Sequence, residues 1–114
     1  KEREQLGVVF DQLGSPTYAR DLAQFILTAI EKGIVPGVYH FTNEGVCSWY
    51  DFTRTIHKLA GIDDCKVSPI HTADYPVAAK RPHYSVLDKT KVKQTYNIDI
   101  RWWEDALKEC IKEL

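Results

Sequence analysis

The sequence predicts an α/β fold of about three short strands and four to five helices. Two observations carry that reading. Short β-branched runs alternate with segments whose apolar residues recur every three or four positions, and turn formers separate the two kinds of segment. The 114 residues are 44% hydrophobic and 27% charged, which supplies the apolar material for one small globular domain, residues 1–114.

The opening Lys1-Glu2-Arg3-Glu4-Gln5-Leu6 reads as the last turns of a helix already under way. No methionine occurs anywhere, so the chain reads as part of a longer protein; the alternative is a complete small protein without its initiator residue. Leu6 to Phe10 is short, apolar and β-branched, and is expected to be a strand. Gly14, Ser15 and Pro16 make a turn. Thr17 is placed to cap the next helix by accepting a bond from a free backbone N–H. In that helix Ala19, Leu22, Phe25, Ile26, Ala29 and Ile30 form one stripe expected to be buried. Lys32 suits its last turn, and Gly33 with Pro36 stops it.

Val38 to Thr42 reads as a second strand, closed by Asn43-Glu44-Gly45. Ser48 and Asp51 have capping-box spacing, with Asp in place of Glu. The helix that follows should bury Trp49, Phe52, Ile56 and Leu59 and end at Gly61. Lys66 to Thr72 reads as a third strand. Pro69 inside it cannot donate to a ladder, so this strand belongs at an edge or a bulge. Ala73 to Tyr84, with Pro76 and Pro82, reads as an ordered loop. Asp88 caps a short helix over Lys89–Thr95. A last helix carries Trp103, Leu107, Cys110, Ile111 and Leu114 on one face.

Charge and cysteine usage narrow the function. A net charge of −1 argues against nucleic acid, whose binding domains are usually basic. The one basic-leaning stretch, Lys80 to Lys93, reads as a solvated helix face with a loop. No apolar run approaches the ~20 residues of a membrane span. Cys47, Cys65 and Cys110 are odd in number and far apart, which suits free thiols in a reducing cytoplasm. His40, His57, His71 and His83 never fall at metal-ligand spacing.

Some residues carry binding chemistry. Arg81 stands at the end of a loop, and Pro82 fixes the backbone after it. A guanidinium offers a planar fork of donors that fits phosphate oxygens; pairing with Asp74 or Asp88 at the surface is the alternative. Gln12 offers both a donor and an acceptor, which suits a base edge. Phe10 can stack on a flat ring or pack in the core. Gly14 and Pro16 are turn formers. No G-x-G-x-x-G loop and no Tyr-x-x-x-Lys pair occurs, since Tyr75 and Lys80 have four residues between them.

Taken together these phrases resemble one family. Asp11-Gln12-x-Gly14-x-Pro16-Thr17 with Asp21-Leu22-Ala23 is similar to dTDP-4-dehydrorhamnose reductases. So are Gly37-x-Tyr39-His40-Phe41 with Ser48-Trp49-x-x-Phe52, and Pro69-Ile70-x-Thr72-x-x-Tyr75-Pro76 running on to Arg81-Pro82-x-x-Ser85-x-Leu87-Asp88. The resemblance covers nearly the whole chain in order. It implies an extended short-chain dehydrogenase/reductase, with a Rossmann domain for NADPH and a smaller C-terminal part for the nucleotide sugar. This chain resembles that C-terminal part.

The family reduces the C4 ketone of dTDP-4-dehydro-L-rhamnose to give dTDP-L-rhamnose, the closing step of dTDP-rhamnose synthesis for surface polysaccharides. The resemblance implies a contact of Arg81 with the diphosphate and places Phe10 and Gln12 near the base, with Pro82, Pro16 and Thr17 as further substrate-binding residues. It implies no catalytic or NADPH-binding residue within this chain. Some members are associated with Mg²⁺, for which no carboxylate cluster stands out here. Val8–Phe10 is expected to pair with Val67–Ile70, and Val38–Thr42 to join the edge of a Rossmann sheet outside the chain. Apolar surface left around Val38–Phe41 then favours self-association. Other readings stay open: an epimerase or dehydratase of another nucleotide sugar, a non-catalytic regulatory subunit of reductase-like fold, or a standalone binding module. The Asp-Gln-x-Gly-x-Pro-Thr turn favours the reductase.

Overall fold

A computed structural model describes residues 5–63, 65–74 and 81–114. The chain is α/β. Its elements are β1 (Gln5–Val9), β2 (Leu13–Gly14), α1 (Ala19–Lys32), β3 (Cys47–Ser48), α2 (Trp49–Ala60), β4 (Lys66–Ile70), a 3₁₀ turn (Thr72–Asp74), α3 (Thr90–Tyr96) and α4 (Trp103–Lys112). β1 and β4 pair in parallel, with Val8 opposite Pro69 and Val9 opposite Ile70. That is the pairing expected from the sequence. Two strands leave each other's outer edge open, which is where Pro69 can sit without breaking a ladder. Gln5 and Leu6 belong to β1 and do not continue a helix; residues 1–4 lie outside the described residues, as do 75–80 of the expected loop.

The strand expected over Val38–Thr42 does not form. Among the described residues it has no neighbouring strand, and a lone strand has no ladder to satisfy its backbone. The segment is held from its two ends instead. Val35 N–H donates to the Tyr96 hydroxyl at 3.1 Å, and Asn43 N–H donates to the Pro16 carbonyl at 3.2 Å.

Asn43 is the hub of this region and is almost fully buried. Its Oδ1 accepts from the Tyr18 N–H at 2.7 Å, and its Nδ2 donates to Asp21 Oδ2 at 2.7 Å. Asp21 in turn accepts two bonds from Arg101, both at 2.8 Å. The start of α1 is therefore capped from outside. Tyr18, not Thr17, is the N-cap, and no side-chain cap bond comes from it. Thr17 is exposed.

Apolar packing forms two small cores. Ala29, Val92 and Tyr96 are buried, with Phe25, Tyr39, Ile98 and Ile100 packed around them. Phe25 stacks on Phe41 at 5.1 Å and meets Tyr96 edge-on at 5.4 Å. The predicted stripe of α1 is split by this arrangement. Phe25 and Ala29 turn inward, while Leu22, Ile26 and Ile30 stay exposed. The second core lies between α2 and α4, where Phe52 packs 6.1 Å from the buried Trp103. Gly45 allows that approach: at φ +97° a Cβ would lie 2.8 Å from atoms of both Trp102 and Trp103.

Helix boundaries follow the sequence closely. The Ser48–Asp51 capping box is complete, and Gly61 closes α2 in the left-handed conformation. α3 starts one residue later than expected, yet Asp88 still accepts from the Thr90 N–H at 2.9 Å. Trp49 is a correction, because the residue is 57% exposed. Leu114 is another: it lies beyond α4 and is exposed. A third is Lys89, which is buried and paired with Glu44 at 3.1 Å, so the basic stretch is not solvated throughout.

Asn43→Ala should destabilise the fold by about 1–3 kcal/mol, since it removes a buried amide and leaves the half-buried Tyr18 N–H and Asp21 carboxylate each without one partner. Urea unfolding followed by circular dichroism measures this. A loss below about 0.5 kcal/mol would remove Asn43 from its role as the hub.

Candidate functional site

The cleft that matters is built around β2. Leu13 is bonded to two chain segments at once. On one side Ser48 of β3 pairs with it in antiparallel fashion. On the other, Leu13 N–H donates to the His83 carbonyl at 2.6 Å, and Ser85 N–H donates to the Leu13 carbonyl at 2.8 Å. The order across this patch is residues 83–85, then 13–14, then 47–48. Gly14 keeps this approach close: a Cβ there would lie 3.1 Å from Ser85 Oγ, so the hydroxyl would have to give way.

Two further ties hold the first side. The Asp11 carboxylate accepts from the Thr72 N–H at 2.9 and 3.1 Å and from the Thr72 hydroxyl at 2.5 Å. His83 Nδ1 lies 2.8 Å from the Asp11 carbonyl. The Thr72 hydroxyl bond, opposed by some desolvation, leaves the Asp11 carboxyl below its ordinary range. On the second side, the Ser15 hydroxyl donates to the Gly45 carbonyl at 2.5 Å.

Over this patch opens a cleft of about 370 Å³. Gln12, Pro16, Arg81 and Pro82 all line it, so four of the six residues singled out by sequence come together. Arg81 is exposed, and among the described residues no carboxylate lies within ion-pair distance of it. Gln12 donates to the Thr72 hydroxyl at 3.3 Å, which fixes its amide. Phe10 and Thr17 do not line the cleft. Phe10 packs edge-on against His71, with ring centroids 4.8 Å apart.

Sequence reasoning left out Trp49, Phe52, Cys47 and Leu87, which also line the cleft. For Trp49 a signal existed. Helical side chains lean towards the N-terminus, so a ring at the first helical position overhangs the helix end and is not covered by the next turn. Cys47 is free and buried, and burial pushes its thiol up to about 11, which makes it a packing residue and not a nucleophile. Among the described residues no three His, Cys, Asp or Glu side chains gather as a metal site. No helix there is long and apolar enough to cross a membrane.

The model of the RmlD substrate binding domain matches residues 1–114. The chain belongs to this family. A dTDP-4-dehydrorhamnose reductase of Aggregatibacter actinomycetemcomitans is 45% identical over 95% of the chain. The Bacillus subtilis spore coat polysaccharide biosynthesis protein SpsK is 38% identical over 97%. The chain spans about 40% of the length of these curated relatives. A crystal structure of a dTDP-4-dehydrorhamnose reductase from Clostridium acetobutylicum superposes with a TM-score of 0.90 at 43% identity, covering 97% of this chain and 39% of that one. A Bacillus anthracis reductase in complex with NADP superposes at 0.89 with 35% identity, covering 98% and 38%.

The residues of this RmlD domain do not themselves fit a dinucleotide. Its six glycines are never two or three positions apart. The strand-to-helix turn after Gly14 therefore lacks the glycine spacing that lets a backbone approach a pyrophosphate closely.

The Asp11–Thr72 tie gives a pH prediction. A carboxyl whose folded pKa is depressed contributes stability in full above the unfolded value, and loses it as pH falls through the folded one. The contact should therefore be intact above the ordinary aspartate value of 3.8 and weaken only at more acid pH. An NMR titration of the Thr72 amide should show a midpoint below 3.8, absent in Asp11→Asn. A midpoint above that value would contradict the bonding described.

Proposed function

We propose that this chain is the nucleotide-sugar-binding part of a longer NADPH-dependent reductase that converts dTDP-4-dehydro-L-rhamnose to dTDP-L-rhamnose. The observation that carries the reading is the cleft: an exposed guanidinium, a fixed glutamine amide and apolar walls, in a family named for substrate binding. Arg81 takes the diphosphate, in a fork that a compact ammonium cannot copy. Pro82 and the backbone ties at His83 and Ser85 hold its loop against β2. Gln12 and Pro16 form the adjoining wall. NADPH and the group that protonates the ketone oxygen come from residues outside this chain, and its own residues bind and orient the sugar nucleotide. The odd number and wide spacing of Cys47, Cys65 and Cys110 suit a reducing, cytoplasmic setting.

In the full-length protein, Arg81→Ala should raise the KM for the dTDP-sugar roughly tenfold or more and leave NADPH affinity nearly unchanged, since one charge-assisted contact is worth about 1.5–3 kcal/mol. Arg81→Lys should recover only part of it. An unchanged KM, or an equal loss of NADPH affinity, would rule out the diphosphate role.

The isolated chain should be inactive and should self-associate. Leu22, Ile26, Ile30, Ile34 and Val38 are all exposed, and the Cα radius of gyration is 16.5 Å, against about 13 Å for a compact chain of this length. Broad apolar surface of this kind favours association. Light scattering and an NADPH-oxidation assay on the purified chain check both points. A monomer at high concentration would refute the surface argument, and turnover would refute the assignment of catalysis elsewhere.

A further inference from the structure

We propose that the indole of Trp49 is the platform on which the base of the bound nucleotide stacks. The inference rests on the nucleotide-sugar reading above and adds the residue that grips the base. Trp49 is large, apolar and 57% exposed, in a place where burial was expected. Its position is nevertheless fixed. Ser48 before it and Asp51 after it close the capping box, with Asp51 N–H donating to Ser48 Oγ at 3.0 Å. Phe52 meets the ring nearly at a right angle, with centroids 6.3 Å apart and planes at 79°. More than half of Trp49 stays uncovered, and the residue lines the cleft. Phe10, the aromatic residue that sequence put near the base, is outside the cleft against His71.

The spacing also suits a base. Trp49 follows β3 and Arg81 precedes residues 83–85, and β2 lies between these two segments. Two inter-strand steps set them roughly 10 Å apart. In a sugar nucleotide a ribose separates the base from the diphosphate, whereas the hexose is bonded directly to it. With Arg81 on the diphosphate, the wider span fits the base. Gln12 lines the same cleft and carries an amide acceptor for a base edge.

The test titrates thymidine diphosphate, which lacks the hexose, into the full-length protein by calorimetry. Trp49→Ala and Trp49→Leu should both weaken binding by roughly tenfold or more, and Trp49→Phe should keep most of it, in line with the worth of aromatic stacking. In the unmodified protein the base protons of the ligand should shift upfield on binding, and in Trp49→Leu they should not. Competition by inorganic pyrophosphate should be the same with and without the ring. If thymidine diphosphate binds the unmodified protein and Trp49→Ala and Trp49→Leu equally well, the base platform is overturned while the nucleotide-sugar reading stands. If only the hexose-bearing nucleotide loses affinity, the ring grips the sugar and the proposal is wrong. If the unmodified protein binds no nucleotide at all, both fall together.

Discussion

The buried amide of Asn43 is the contact on which the arrangement of this chain depends. It joins three stretches distant in sequence: the turn at Pro16 and Tyr18, the first turn of α1 at Asp21, and the strand-like passage at Arg101 that leads into α4. Asn is suited to this because one side chain offers both an acceptor and a donor. Alanine would leave both orphaned in a buried place, and aspartate would face Asp21. Burial alone would push the Asp21 carboxyl up, but the Arg101 fork and the Asn43 amide outweigh it and leave it below its ordinary range. The ion pair and the amide therefore work as one half-buried unit, in which each group finds its partner. Neighbouring Glu44 repeats the pattern, taking Lys89 and Lys93.

From that hub the chain is aimed in two directions. Before Asn43, the turn at Pro16 leads back to β2. After it, Gly45 passes under the tryptophans and delivers Cys47 and Ser48 to β2 from the other side. Leu13 then becomes the middle of a three-segment patch that also takes residues 83–85. Groups at 12–16, 48–49 and 81–85 meet because of backbone bonds and not because their side chains attract one another. Such a site is rigid along its floor and open above, and rigidity of the supporting backbone is what binding groups need.

Local sequence made much of this legible. The capping box, Gly61, the Asp88 bond and the β1–β4 pair all follow from short-range chemistry or simple pattern. So did Gln12, Pro16, Arg81 and Pro82 as residues of one place. What failed depended on partners. Val38–Thr42 has strand composition, but a strand needs a neighbour, and the described residues supply none. The α1 stripe has helical spacing on both an inner and an outer line, and periodicity cannot say which line is covered. Asn43 looked like a turn residue because its partners lie 22 to 58 residues away. β2 and β3 are two residues each, too short for any pattern to register.

The same failures point to one physical conclusion. The exposed residues Leu22, Ile26 and Ile30 of α1, with Ile34 and Val38 beyond it, carry the composition of an interior and the exposure of a surface. A sequence under selection to fold alone would replace some of them with polar residues, because each buried branched side chain is worth about 1.5–3 kcal/mol only when it is covered. An apolar line and an unpaired strand-like segment therefore lie side by side on one surface. The cleft is open to solvent as well. With one wall in water, Arg81 acts through a high effective dielectric, and a charge pair at contact distance is worth only about 1 kcal/mol there. Closing the cleft with a second wall would lower that dielectric and strengthen the contact several-fold. Under the proposed diphosphate role, the strength of the Arg81 contact would therefore depend on how far water is excluded from the cleft.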